Sequence, residues 1–253
     1  AGMLLAMLVW SGIAAITFAF ARLVGAYDYR HFFATLLGPA AFLFEIAYVL
    51  FVVPILSVFA AAAGAIGAAL LGWPTAVGGL LLAAGIVATV AFGTASVERL
   101  FQYVSWLLYG VYALFILLCL LKFGGRIGGA FAAAPPPAAG WMTGGLTYAG
   151  YNIIGAVVIL PVLRHMTSQR DAVVAGLIAG PLAMLPAILF FLGMVAFYPE
   201  IAAETLPSDF LLREIGIAPF HWRFQLMIFG ALLESGPGAV HAINERIANS
   251  MPR

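Results

Sequence analysis

Apolar stretches of about two dozen residues alternate along this chain with short polar ones, and their length sets the first expectation. A helix needs roughly 20 apolar residues to cross a bilayer. Seven runs reach that scale, at about 2–21, 38–66, 73–94, 99–122, 141–163, 172–198 and 219–243. The pattern predicts an all-α fold, a polytopic transmembrane helix bundle forming one transmembrane domain over residues 1–253. Proline and glycine set the exceptions. Pro54 lies inside the overlong second run, so that helix is expected to tilt or kink, or to end early near Ala61 with Ala62–Gly72 as a small-residue cap. Trp73-Pro74 opens the third run, where proline is tolerated in a first helical turn. Gly124–Gly140, with Pro135-Pro136-Pro137, reads as a connecting loop, and Gly180-Pro181 with Pro186 predicts a bend in the sixth span. Before the seventh, Ser208 or Asp209 is expected to cap a short extracellular amphipathic helix at about 208–216, with Phe210, Leu211 and Ile215 on its apolar side.

Composition agrees with the pattern. The chain is 64% hydrophobic and 8% charged, with a mean hydropathy of +1.10, whereas a soluble domain is nearer half apolar and a quarter charged. It reads as an integral membrane protein. A net charge of +1 gives no footing for nucleic acid or an acidic partner. Cys119, in ALFILLCLL, is the single cysteine, so it makes no intrachain disulfide and is expected to pack as a small hydrophobe. The chain enters an apolar helix from Ala1 with no charged leader, so no signal peptide is expected. We read it as part of a longer membrane protein.

Basic residues orient the spans. Arg22, Arg30, Arg99, Arg164, Arg170, Arg246 and Arg253 lie on one side, against Lys122, Arg126, Arg213 and Arg223 on the other. The positive-inside rule puts the first group in the cytoplasm, with the N-terminus outside and the C-terminus inside.

Within the fifth run, GGLTYAGYNIIGAVVILP (Gly144–Pro161) gathers Thr147, Tyr148, Tyr151 and Asn152 among Gly144, Gly145, Gly150 and Gly155. Lipid offers backbone amides no partners, so a spanning segment normally keeps its helical bonds. Glycine loosens that ladder, and the Asn152 amide can satisfy backbone groups that a break would free. Half-unwound helices of this kind hold solutes and ions in transporters. The alternative is an intact helix whose small residues admit a close neighbour.

Ten carboxylates are present, and Glu45 and Glu234 alone fall well inside apolar runs. A mid-membrane charge costs about 2.5–3.5 kcal/mol on insertion scales. Glu45 stands roughly 10 Å from the inner surface and Glu234 roughly 13–15 Å, at 1.5 Å per residue. Facing a common interior, the two could bind a cation, share a proton or receive a basic ligand group. The bland reading is a neutral glutamic acid hydrogen-bonded to a neighbouring helix. Ser235-Gly236-Pro237-Gly238 follows Glu234, where a regular helix is hard to sustain, and Ser235 could serve an ion or a carbonyl freed by Pro237. Tyr48, three residues after Glu45, shares its face and could stack on a solute or bond a backbone carbonyl.

The remaining polar residues carry less. His241, Asn244, Glu245 and Arg246 read as a cytoplasmic helix extension or gate, and Glu98-Arg99 as a surface pair. His241 has no second His or Cys at ligand spacing, so no metal site is expected. Ser96, Gln102 and Ser105 make no nucleophile–base pair with a nearby histidine, and hydrolase, zinc-protease and phosphate-loop motifs are absent. Enzymatic activity is not expected.

TYAGYNIIGAVVILPVL, followed by a basic loop and a Gly-Pro-broken helix, resembles the YkvI-like family of bacterial membrane proteins, as does LLESGPGAVHAINERI. That family is similar to the amino acid–polyamine–organocation (APC) superfamily, with its five-plus-five inverted-repeat leucine-transporter (LeuT) fold. The resemblance implies that the seven runs correspond to helices two to eight of that fold. It places Gly144–Pro161 at the broken sixth helix, Glu45 and Tyr48 on the third, and Glu234 and Ser235 on the eighth, near where relatives hold sodium. The discontinuous first helix and the helices after the eighth have no counterpart here, so this stretch alone is not expected to transport.

The function expected is secondary active transport of a small organic solute, an amino acid or amine-like molecule, coupled to H+ or Na+ in a bacterial cytoplasmic (inner) membrane. Solute would sit between the broken helix and the spans carrying Glu45 and Glu234, with Thr147, Tyr148, Tyr151, Asn152 and Tyr48 as its contacts. Glu234, Ser235 and Glu45 would couple the ion. No organic cofactor is expected, and the partners are the solute and the lipid bilayer. A non-transporting scaffold or sensor of the same fold is the alternative, and an ion channel a weaker one, since no filter motif is present.

Overall fold

A computed structural model describes the backbone of residues 1–92, 94–134 and 136–250, and their side chains apart from 92–104, 155, 157, 158 and 238–250. The side chains of Ser96, Glu98, Arg99, Gln102, His241, Asn244, Glu245 and Arg246 therefore lie outside the described residues, as does Pro135. Among the described residues all regular structure is helical. The α-helices are α1 (Gly2–Leu23), α2 (Tyr29–Leu37), α3 (Ala41–Leu71), α4 (Thr75–Phe92), α5 (Thr94–Ala132), α6 (Trp141–Asn152), α7 (Gln169–Val195), α8 (Pro207–Ile215) and α9 (Ala218–Ser250). Three 3₁₀ segments cover Gly38–Ala40, Ile153–His165 and Glu200–Ala203. Among the described residues, four stretches are long and apolar enough to cross a membrane: Gly2–Leu23, Tyr29–Leu71, Ser105–Ala132 and Gln169–Val195. Helix α4 is apolar over the shorter Thr75–Ala91.

The chain divides into two compact units, Ala1–Ile46 with Phe131–Leu192, and Ala47–Ala130 with Gly193–Arg253. In the first, α1 sends Ala14, Phe18 and Ala21 at helical spacing into a core shared with Ala26, Phe32, Ala156, Leu160, Leu163 and Ala172. Small residues set the spacing of these helices. A Cβ at Gly176 would overlap Ala15, and one at Gly180 would overlap Ser11 and Met7, so α1 and α7 meet backbone to backbone. Gly145 of α6 likewise lies against Gly2, while Gly144 and Gly150 face open space. Of the two uses of glycine foreseen for this stretch, close approach is seen at Gly145, while α6 keeps its α-helical form past Gly144, Gly145 and Gly150.

Polar groups close the ends of these elements. Asp28 accepts from the His31 N–H at 2.8 Å and starts α2. At the start of α7, Ser168 Oγ accepts from the Asp171 N–H at 3.1 Å, and Asp171 Oδ2 accepts from the Ser168 N–H at 2.9 Å. That reciprocal pair is a capping box with aspartate in the third position.

In the second unit α3 and α4 form a hairpin around Gly72, whose φ of +65° suits glycine. Gly64 and Gly78 let the two helices touch. Ala63, Leu82 and Ile86 form a core with Phe59, Phe229, Leu232 and Leu233 packed against it.

Two expectations about helix ends are corrected. Helix α3 does not stop near Ala61, because Ala63, Gly64 and Ile66 are buried and pull its last turns into the hairpin. The Ser57 hydroxyl donates to the Val53 carbonyl at 3.0 Å beside Pro54. Gly124–Ala132 is likewise not a loop but the last turns of α5. Four glycines at about 1 kcal/mol each oppose that helix, yet Phe123 and Ile127 are buried on one side of it. Lys122 Nζ also donates to the Ile215 carbonyl at 2.8 Å, and the Arg126 guanidinium lies 5.0 Å over the Phe197 ring. Tertiary contacts outweigh local preference here.

Candidate functional site

Helix α6 carries the first group of candidate residues. It keeps α-helical bonding up to Asn152 and then passes into a 3₁₀ segment of 13 residues, Ile153–His165. Such runs are uncommon beyond three or four residues, because the bonds are tighter and poorly aligned. The Gly144–Pro161 stretch is therefore neither a single regular α-helix nor an unwound coil. At the change of winding, Asn152 Nδ2 donates to the Tyr148 carbonyl at 2.9 Å, so the amide is engaged with the backbone of its own helix. Tyr148 and Tyr151 meet edge to face with ring centroids 5.3 Å apart. Thr147 and Tyr151 are exposed, and Tyr148 and Asn152 half-buried. This face offers two aromatic rings, two phenol hydroxyls, a threonine hydroxyl and the amide oxygen of Asn152, a set suited to a small polar organic molecule.

Glu45, on α3, belongs to the same unit and is half-buried, while Tyr48, one turn later, is buried and falls in the other unit. The second unit also holds Glu234 and Ser235. Glu234 is half-buried in α9, and Ser105 of α5 donates to its Oε1 at 3.1 Å. Ser235 donates to the Ala231 carbonyl at 2.9 Å, one turn back along its own helix. It serves neither Glu234 nor the Leu233 carbonyl that Pro237 leaves free. The hydroxyl next to Glu234 is thus supplied by Ser105, which reasoning about nucleophiles passed over. The signal for it was a serine in an otherwise apolar run, read as a hydrogen-bond donor rather than a nucleophile.

A second polar group was not foreseen. Asp209, expected as a helix cap, is instead turned inward, while Pro207 occupies the first turn of α8 and no side chain caps it. Asp209 Oδ1 meets His221 Nε2 at 2.7 Å and accepts from Gln225 Nε2 at 3.2 Å. Oδ2 pairs with Arg213 Nε at 3.1 Å, and Arg213 reaches Glu204 at 3.4 Å. Asp209 and Arg213, and His221 and Gln225, are each four residues apart, so each pair presents side chains on one helix face. That spacing was the available clue. Among the described residues no group of three or more His, Cys, Asp or Glu is placed to hold a metal ion. Comparison with known proteins adds no identity: no family model, no curated protein and no solved structure matches this chain.

Proposed function

We propose that this chain is part of a secondary active transporter of a small organic solute, an amino acid or amine-like molecule, coupled to H+ or Na+ by alternating access. The observation that carries the reading is Glu234. It is a half-buried carboxylate in the apolar segment LMIFGALLES, held by a hydroxyl from the membrane-length stretch Ser105–Ala132. A carboxylate in apolar surroundings needs a proton, a cation or a basic ligand group beside it. The Ser105 hydroxyl can donate to the carboxylate or turn its lone pairs to a cation, so the pair suits either ion.

Thr147, Tyr148, Tyr151 and Asn152 are the solute contacts in this reading, at the change from α to 3₁₀ winding. Glu45 and Tyr48 are further contributors. The seven apolar runs act as seven spans corresponding to helices two to eight of a LeuT-type fold, in a bacterial cytoplasmic membrane with Arg22, Arg164 and Arg246 inside. The resemblance of the two quoted segments supports this arrangement.

Counterflow of labelled solutes in proteoliposomes of the full-length protein tests the proposal. Exchange should survive Glu234→Gln while its dependence on a proton or sodium gradient is lost. Unchanged exchange and coupling would remove Glu234 from the mechanism. No exchange by the unmutated protein would favour a scaffold or sensor, and a solute-independent current would favour a channel.

A further inference from the structure

At one end of the first unit, membrane-length stretches stop and start beside arginines. Gly2–Leu23 ends next to Arg22, and Gln169–Val195 begins next to Arg170. Contacts bring these ends together. Arg22 Nη1 donates to the carbonyl of Met166, which lies between Arg164 and Arg170 in the chain. Gln169 Nε2 donates to the Ala19 carbonyl at 2.7 Å, and Phe32 of α2 shares a core with Leu163 and Ala172 on either side of the same loop. Arg164 Nε donates to the Pro161 carbonyl at 2.8 Å, which holds the base of its guanidinium. Arg164 and Arg170 are exposed, and Arg22 is half-buried. The carboxylates of these segments are turned to local donors. Asp28 accepts from the His31 N–H, and Asp171 accepts from the Ser168 N–H and the Thr167 hydroxyl. Among the described residues no carboxylate pairs with Arg22, Arg164 or Arg170.

We propose that Arg22, Arg164 and Arg170 form a docking surface for the headgroup of an anionic phospholipid. Guanidinium groups meet phosphate oxygens through paired N–H···O bonds, and basic clusters at the ends of spanning helices recognise acidic lipids. The neighbours favour a lipid over a free anion. Leu23, Val162 and Val174 stand within four residues of these arginines and are exposed, so acyl chains have apolar side chains to lie against below the headgroup. The surface is independent of any transport activity, since it needs only the bilayer and this end of α1 and α7.

Spin-labelled phosphatidylglycerol and phosphatidylcholine, offered to the full-length protein in nanodiscs, test this by their relative association with the protein. The unmutated protein should prefer phosphatidylglycerol. Arg164→Gln and Arg170→Gln should each reduce that preference by up to about fivefold, the worth of one arginine at an anionic surface. Arg223→Gln makes the same charge change at an exposed arginine of the other unit and should leave the preference intact. Inorganic phosphate should displace the lipid no more than sodium chloride of equal ionic strength does. Equal association of the two lipids would overturn the proposal, as would a preference that survives Arg164→Gln with Arg170→Gln or falls equally in Arg223→Gln. Specific displacement by inorganic phosphate would overturn it too, by assigning the arginines to a free anion.

Discussion

The Ser11 hydroxyl of α1 donates to the Leu177 carbonyl of α7 at 2.8 Å, and Leu177 stands four residues before Pro181. Proline has no N–H, so within α7 that carbonyl has lost its helical donor. A neighbouring helix supplies the replacement, and Gly180 leaves room for it to approach. Ser11→Ala should therefore destabilise the protein by about 0.6–1.7 kcal/mol, the range for interhelical bonds in membranes. In a Pro181→Ala background the restored N–H takes the carbonyl and the penalty should vanish. Reversible unfolding in mixed micelles measures both, and an equal penalty in the two backgrounds would refute the link.

Glycines in this chain do two different jobs, and substitution should separate them. A Cβ at Gly176 meets the backbone of Ala15, which cannot move aside as a flexible side chain would. Gly176→Ala should cost about 1–3 kcal/mol, as overpacking does. At Gly124, within α5, nothing lies within 4 Å. Gly124→Ala should stabilise by up to about 1 kcal/mol through helix propensity. Thermal melts in one detergent give both signs, and a shared sign would mean that close approach is not what selects Gly176.

The start of α7 rests on Ser168 and Asp171 answering each other's N–H groups. Ser168→Ala removes one of those acceptors and should lower stability by about 1 kcal/mol. Ser168→Asp should retain most of it, since the carboxylate accepts the same bond and favours the positive end of the helix. Amide exchange in residues 169–173 should quicken in the alanine variant alone, and identical protection in both variants would deny Ser168 its capping role.

Some of this was open to reading from residues in order, and some was not. Helix α1 follows directly from an unbroken apolar run, since its length and composition are local properties. The end of α5 is different. Its glycines argue for a loop, and the contacts that outweigh them, Lys122 to Ile215 and Arg126 to Phe197, join positions over 70 residues apart. Asp209 misled for the same reason, because its partners lie 12 and 16 residues on, across a turn at Gly216. The glycine-rich stretch around Asn152 was marked as unusual by composition alone. The form its irregularity takes, a change from α to 3₁₀ winding, depends on how Ala156, Leu160 and Leu163 settle against α1 and α2.

Asp209 also offers a test of how the α8–α9 contact is held. Its carboxylate receives Arg213, His221 and Gln225, but these three differ in what they lose without it. Arg213 is largely exposed and can turn to Glu204 or water, so Arg213→Ala should cost under about 1 kcal/mol. Gln225 is fully buried and its Nε2 would be left without an acceptor, so Asp209→Ala should cost at least about 1–3 kcal/mol. Replacing both partners, in Asp209→Ala with Gln225→Met, removes the stranded donor along with its acceptor. The double variant should then be more stable than the sum of the single losses predicts, by roughly 0.5–3 kcal/mol of coupling. Chemical unfolding of the four proteins closes the cycle. Strict additivity would mean that the 3.2 Å bond contributes nothing, and that apolar packing alone joins the two helices.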